Sequence, residues 1–306
     1  MVAGGPHSIY YSQLPNNFAA ITCCTLLSGQ RPELLATNKL KTAAMALLAS
    51  LPVSLAMACD GLTEGPAGTV VAISDGDTVL LDNDVTVRLI GMQAPKLPLG
   101  RDGFEAWPLG AESKAALAAL VDGKRVRVMQ GGEPWDRHGR SLGQLFVESP
   151  DSTTPAVWVQ HEMVAAGMAR VYSFPDNRQC VAELLATESR ARAMKLGIWA
   201  DPYYSVRRAD RPMQLEGLAG HYELVEGRLL TAEKAGGRVY LNFGRSFKED
   251  FTAVIDGGAL RLFDALGLDP LRLEGALVRV RGWVDVHNGP RIDVTHPEQI
   301  EVLATR

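Results

Sequence analysis

The 306-residue sequence has few cysteines, and the four it has, Cys23, Cys24, Cys59 and Cys180, are scattered. They are too few for a disulfide framework and none forms a CxxC-type metal site, so the fold is expected to hold together without structural bridges. It also lacks an excess of basic charge: Lys+Arg 31 against Asp+Glu 35 gives a net charge of -4. No global positive field therefore draws a polyanion, and any binding of one must be local. With 46% hydrophobic and 22% charged residues the composition excludes disordered and fibrous classes, and the length is enough for two domains, each with its own core.

The longest uncharged apolar run, Thr42 to Ala58, follows Lys39 and Lys41 and ends in a small-x-small site at Ala56-Met57-Ala58. Basic, apolar and small-residue regions in that order read as a secretory signal, and Pro52 with the modest length argues against a permanent membrane span. Cleavage before Cys59 would place that cysteine at a new N-terminus, so Cys59 is a candidate lipidation site and membrane anchor, although Ala56 stands where such signals usually carry leucine. Residues 1–37 sit upstream of the signal and read as an over-long start; the alternative is that 42–58 is a buried helix. The expected location is the periplasm or cell envelope.

From Gly68 the chain shows short β-rich runs at 69–73, 77–81 and 85–90, separated by Asp75-Gly76 and Asp82-Asn83-Asp84 turns. A helix is predicted over 109–120, bounded by Pro108 and Asp122-Gly123, then strands at 125–129 and 142–147, and helices at 157–166 and 176–196. This is a five-stranded OB-like barrel with three helices, an arrangement whose strand face and loops suit polyanions. The polar stretch 206–220 reads as a linker. Beyond it, strands at 223–230, 238–243, 250–255, 277–284 and 292–294, with a helix at 258–266, repeat the same order. The fold class is thus mainly β with added helices: residues 1–58 an extension with signal, 60–205 one barrel, 221–304 a second, smaller OB-like barrel.

Three motifs, Ser74-Asp-Gly-Asp-Thr78, Val87-Arg-Leu-Ile-Gly-Met-Gln-Ala-Pro95 and Asp136-Arg-His-Gly-Arg140, with the tail Gly197-Ile-Trp199, stand in an order that resembles the staphylococcal nuclease (thermonuclease) family. The C-terminal stretch around Val239 to Gly244 and Arg281-Gly-Trp283 looks like the OB appendage of some bacterial members. The resemblance implies that Asp77 is a calcium-ligating aspartate and that Arg88 and Arg140 hold the scissile phosphate. A planar guanidinium suits that task, giving bidentate, permanently charged contacts. His138 falls in the phosphate loop, and Tyr172 and Phe174 fall near the family's nucleotide-side aromatics, where rim packing is the plainer reading for both rings.

The resemblance breaks after Arg88. Where the family carries a second metal-ligating aspartate and the glutamate that orients water, this sequence has Gln93 and Lys96. The three positions sum to zero charge in place of -3, and calcium affinity rests largely on carboxylates. An ammonium about 4 Å from a divalent ion would be repelled by roughly 8 kcal/mol at an effective dielectric near 20, so Lys96 is expected to occupy the ion's place beside Asp77 and perform substrate contact itself. Asp75 and Asp136 are the nearby carboxylates that could replace the missing base. Cofactors are therefore expected to be none, or calcium if the family activity is retained. Three functions stay open: a nucleic-acid or nucleotide-binding envelope protein with hydrolysis lost or altered, a working phosphodiesterase with a rearranged site, and a non-enzymatic interaction protein.

Overall fold

The computed structural model describes Cys59, residues 61–149 and residues 156–305; the signal-like run at 42–58 lies outside these residues. The first barrel starts with a 13-residue strand, β1 (Thr63–Asp75), followed by β2 (Thr78–Leu81) and β3 (Thr86–Leu89). Strand β4 (Gly91–Gln93) leaves the barrel, α1 (Gly110–Val121) crosses it, and β5 (Arg125–Gln130) and β6 (Ser141–Val147) complete it. Bulges bend β1, so its first half pairs with β5 (Thr69 opposite Arg125) and its second half with β2 (Val70 opposite Leu81). A parallel pairing of β3 with β6 closes the circle β3-β2-β1-β5-β6.

Four further elements complete this domain: β7 (Val157–Trp158), which pairs with β6, α2 (Val159–Ala165), β8 (Arg170–Tyr172) and α3 (Val181–Ala193). Alternate residues of the strands, Val79, Leu81, Val87, Leu89, Val126 and Val128, meet Leu117 of α1 and Leu184 of α3 in one core. Burying each such side chain contributes about 1.5–3 kcal/mol.

The second barrel has β9 (Arg207–Arg208), α4 (Pro212–Glu216), β10 (Tyr222–Arg228), β11 (Thr231–Ala235), β12 (Arg238–Asn242), β13 (Thr252–Ile255), α5 (Gly257–Ala265), β14 (Leu277–Val286), β15 (Pro290–Val294) and β16 (Ile300–Ala304). Strands β10 and β11 serve as two halves of one bent strand, β10 pairing with β14 and β11 with β12. The sheet then runs β12-β13-β15-β14, with β13 parallel to β15 and a helix, α5, between β13 and β14. Asp256 caps α5 by accepting from Ala259 N at 2.8 Å.

Several expectations change. The stretch 206–220 is folded: β9 pairs with β10, and Ala209 and Leu215 are buried in the second core. Those two apolar residues, isolated among charges, carry no period that the sequence displays. Strands β11 and β16 were not anticipated either, because Thr231–Ala235 and Ile300–Ala304 are short and largely exposed. The cysteines also require correction: Cys59 and Cys180 form a disulfide across 121 residues, despite their lack of any pattern. With its sulfur bonded to Cys180, Cys59 has no thiol for a lipid anchor.

All the described residues belong to one unit, and a polar seam joins its two barrels. Glu188 of α3 is fully buried and accepts from Arg281 Nη2 at 2.7 Å, Arg192 Nη1 at 2.9 Å and Val171 N at 2.7 Å. Burial raises its pKa, but the Arg281 and Arg192 guanidinium groups outweigh that and hold the carboxyl below its ordinary range. Nearby, Arg178 makes a fork-like pair with Glu298 at 2.8–3.0 Å, and Ser173 Oγ lies 2.7 Å from His296 Nε2.

Candidate functional site

Pairing register assembles the site. In the β2–β3 ladder Thr78 stands opposite Arg88, which puts Asp77 beside that arginine. The parallel β3–β6 pair sets Arg88 opposite Leu142, so Arg140, just before β6, reaches the same end of the barrel. The Asp75-Gly76-Asp77 turn packs so closely on α1 that a Cβ at Gly76 would collide with Ser113 Oγ and Ala94 Cβ.

Asp77 is fully buried and has three cationic or N–H partners. Its Oδ2 accepts from Ala94 N at 2.9 Å and from Lys96 Nζ at 2.8 Å, and lies 3.2 Å from Arg88 Nη2; its Oδ1 accepts from Lys96 at 3.0 Å. Burial raises its pKa, yet Arg88 and Lys96 outweigh this and keep it ionised below the usual carboxylate range. Asp75, whose Oδ2 is 3.6 Å from Lys96 Nζ, shifts the other way: burial and then the neighbouring Asp77 charge raise its pKa against the pull of Lys96.

Gln93 turns away from Asp77. Its Oε1 accepts from Arg170 Nε at 3.1 Å and Nη2 at 2.8 Å, the two residues being opposite in the β4–β8 ladder. Arg170, which sequence reasoning missed, is 5% exposed and has no ion pair among the described residues. Its Nη1 donates to Tyr222 O at 2.7 Å, and its guanidinium stands 4.8 Å from the Tyr222 ring and 5.6 Å from that of Trp107. Burial pulls its pKa down, but an arginine starts so high that it stays charged.

These donors do not fit calcium. Asp77 is already paired with two cations, Asp75 stands beside the same Lys96 ammonium, and the Gln93 amide faces another cation, which leaves no ring of free hard oxygens. Among the described residues no group of three or more His, Cys, Asp or Glu is placed to hold a metal ion.

In front of this cluster lies a cleft of about 520 Å3 lined by Arg88, Arg140, His138, Trp135, Phe174 and Asn177. The two arginines differ in availability. Arg88 Nη1 donates to Leu89 O at 2.6 Å and Asp77 O at 3.3 Å, and Nη2 to Met92 O at 3.1 Å and toward Asp77, so its four Nη hydrogens are engaged. Arg140 is about one-third exposed; its Nε donates to Asp136 Oδ2 at 2.7 Å, while no acceptor among the described residues stands against its Nη1. Asp136 is itself held by N–H donors from His138 and Arg140 at 2.8 and 3.0 Å. Its slight burial raises its pKa and these bonds outweigh that, so it is a poor proton acceptor at neutral pH.

His138 lies at the rim, its Nε2 accepting from Arg137 Nε at 3.2 Å. Tyr172 is elsewhere: its hydroxyl accepts from Trp283 Nε1 at 3.1 Å and its ring sits edge-on to those of Phe174 and Tyr222, both with centroids 4.8 Å away. The site therefore brings Arg88, Arg140 and His138 into one cleft, sets Asp77, Lys96 and Gln93 behind Arg88, and turns Tyr172 into the inter-barrel seam. Trp135 and Asn177 are cleft residues that the sequence did not mark. Trp135 is 49% exposed, and the buried Asn177 Oδ1 has no partner among the described residues. A tryptophan immediately before the Asp136–Arg140 motif was the available signal.

A family model described as staphylococcal nuclease homologue matches residues 86–201. The micrococcal nuclease of Shigella flexneri is 32% identical over 140 residues, covering 44% of this chain and 74% of that protein. Protein ParB of Escherichia coli is 37% identical over 141 residues, 44% of this chain and 73% of that protein. The chain belongs to the staphylococcal nuclease family. More distant within the family is the thermonuclease of Staphylococcus intermedius, 27% identical over 143 residues, 44% of this chain and 77% of that protein. The five-stranded barrel, the Asp77 turn and the Arg140 loop are thus a nuclease scaffold, and residues 206–305 lie beyond the family match.

Proposed function

We propose that this family member binds nucleic acid or nucleotide phosphate in the Arg88–Arg140 cleft without a metal ion, and that metal-dependent hydrolysis is lost or altered. The observation that carries this reading is the Lys96 ammonium bonded to both oxygens of Asp77, at 3.0 and 2.8 Å. An ammonium there supplies positive charge beside the phosphate cleft and excludes a divalent ion by repulsion. It cannot take a proton from water, so the base role is vacant at this position. Arg140, whose Nη1 has no acceptor among the described residues, is the group that meets phosphate; Arg88 contributes charge and holds Asp77 in place.

A second reading has one observation in its favour. The raised pKa of Asp75 makes it a better proton acceptor than Asp77, so a working phosphodiesterase would use Asp75 as its base, with Lys96 in place of the metal. Export from the cytoplasm belongs to the same proposal: a disulfide between Cys59 and Cys180 persists in oxidising compartments and is rare in the cytosol.

The test is purified protein with labelled single-stranded DNA and RNA, in calcium and in chelator. Equal binding in both, with no calcium-stimulated cleavage, is expected. Slow cleavage that survives chelator and disappears in Asp75→Asn selects the second reading, and an absence of binding in either condition refutes both.

A further inference from the structure

The second barrel carries a concave face with the chemistry of a single-stranded nucleic-acid site. Outward-facing residues of four strands line up in rows: Thr231 opposite Asn242, Asn242 opposite Thr252, and Thr252 opposite Arg291. The floor of this row is a hydrogen-bonded chain, Thr252 Oγ1 donating to Asn242 Oδ1 and Asn242 Nδ2 to Thr231 Oγ1, each at 3.2 Å. Two residues along β12 from Asn242 the partly buried ring of Tyr240 projects from the same face, and Arg238 follows it. The hollow measures about 610 Å3, within the range of small-molecule sites.

Two loops wall it. The β12–β13 loop brings Arg245 and Phe247, and the β14–β15 turn brings His287. Phe247 is 61% exposed, a large ring held in solvent with the Lys248 ammonium 6.0 Å from its centroid. Arg291 is offset by Asp285 and Asp293 at 3.6 and 3.2 Å, whereas neither Arg238 nor Arg245 has an ion pair among the described residues. In the OB fold the face of the second and third strands, flanked by the loop between the fourth and fifth, is where oligonucleotides and oligosaccharides bind. Here β12, β13 and the His287 turn take those positions. Unpaired guanidinium groups beside two accessible rings select the phosphodiester over the neutral sugar, because they offer charge to the backbone and a stacking surface to the bases. A duplex keeps its bases stacked on each other and offers Tyr240 and Phe247 nothing to stack on.

We propose that this face, Tyr240 and Phe247 with Arg238 and Arg245, is a second binding surface for single-stranded DNA or RNA, separate from the Arg140 cleft. The test is anisotropy of a labelled oligothymidylate of about twelve nucleotides, within the span of OB-fold sites, measured on the full chain in chelator. Phe247→Ala is expected to weaken binding at least about fivefold through lost stacking. Arg238→Ala with Arg245→Ala is expected to lower the slope of log affinity against log salt by about 1.4, the value for two phosphates of a single strand. These side chains are solvent-exposed, and an unchanged thermal midpoint checks that each variant is folded. Arg140→Ala probes the first cleft independently: it leaves the proposal standing if the oligonucleotide still binds, with the Phe247 and arginine effects intact. Affinities within twofold of the parent in both second-barrel variants would overturn it. So would a heparin-derived oligosaccharide that binds this face while the oligonucleotide does not.

Discussion

Both barrels run five strands in the same circular order, with a bent first strand, a parallel third–fifth pair and a helix before the fourth strand, but they use that frame differently. In the first, the turn between the opening strands is Asp75-Gly76-Asp77, and charge enters the barrel end: two carboxylates, Arg88 and Lys96. In the second, the matching turn holds Gly236 and Gly237, no carboxylate enters, and the polar chemistry moves to the outer face. Backbone topology therefore places possible sites, and a few side chains at turns decide which are built. The seam between the barrels adds a third arrangement, in which buried charges are paired across the two cores.

The comparison is broken most severely at that seam. Glu188→Ala leaves Arg281 buried without its strongest partner and is expected to cost about 3–5 kcal/mol. Denaturant unfolding measures it, and a loss below about 1 kcal/mol would show that the barrels do not depend on this pair. Next comes acid. Burial lowers the His296 pKa from 6.5 to about 4, so the folded protein resists a proton that the unfolded chain accepts. Stability is full above pH 6.5 and is lost as pH falls toward 4, by about 3 kcal/mol when complete. His296→Gln should flatten this part of the pH–stability curve, leaving only the carboxylate-driven loss at lower pH; an unchanged slope contradicts the assignment.

Within the first barrel the two arginines separate function from support. Arg140→Ala should weaken nucleotide binding about tenfold with little change in stability, because its side chain lines the cleft and is one-third exposed. Arg88→Ala should instead mainly lower the unfolding midpoint, since it leaves Asp77 buried with Lys96 as its one cation. Reversed effects, seen by calorimetry and thermal melts, would exchange their roles. The smallest change is Gln93→Asp. It faces Arg170, so it should stabilise the protein by about 1 kcal/mol as an ion pair without creating a calcium site. Calcium-dependent stabilisation of this single variant would contradict the Arg170 assignment.

Much of this was legible in the sequence. Alternating apolar residues and Asp-Gly turns mark β2, β3, β5 and β6, and the motifs at 74–78, 87–95 and 136–140 are the segments that the fold brings to one end of the barrel. What was not legible depends on contacts distant along the chain. Gln93 meets Arg170 only because β4 pairs with β8, and neither three-residue strand has a period to announce it. Cys59 meets Cys180 across 121 residues. Tyr172 leaves the cleft because Trp283, from the other barrel, donates to its hydroxyl. Single residues whose partners lie in another element carry no local pattern.

The central claim is that Lys96 stands in for the metal ion. Calorimetric titration of the parent with a short oligonucleotide, once in calcium and once in chelator, tests it most directly. The account predicts the same affinity and heat in both, and no calcium binding without nucleotide. An affinity that rises about tenfold or more with calcium, together with calcium-dependent cleavage, would contradict it, because a resident ammonium and a divalent ion cannot share the oxygens of Asp77.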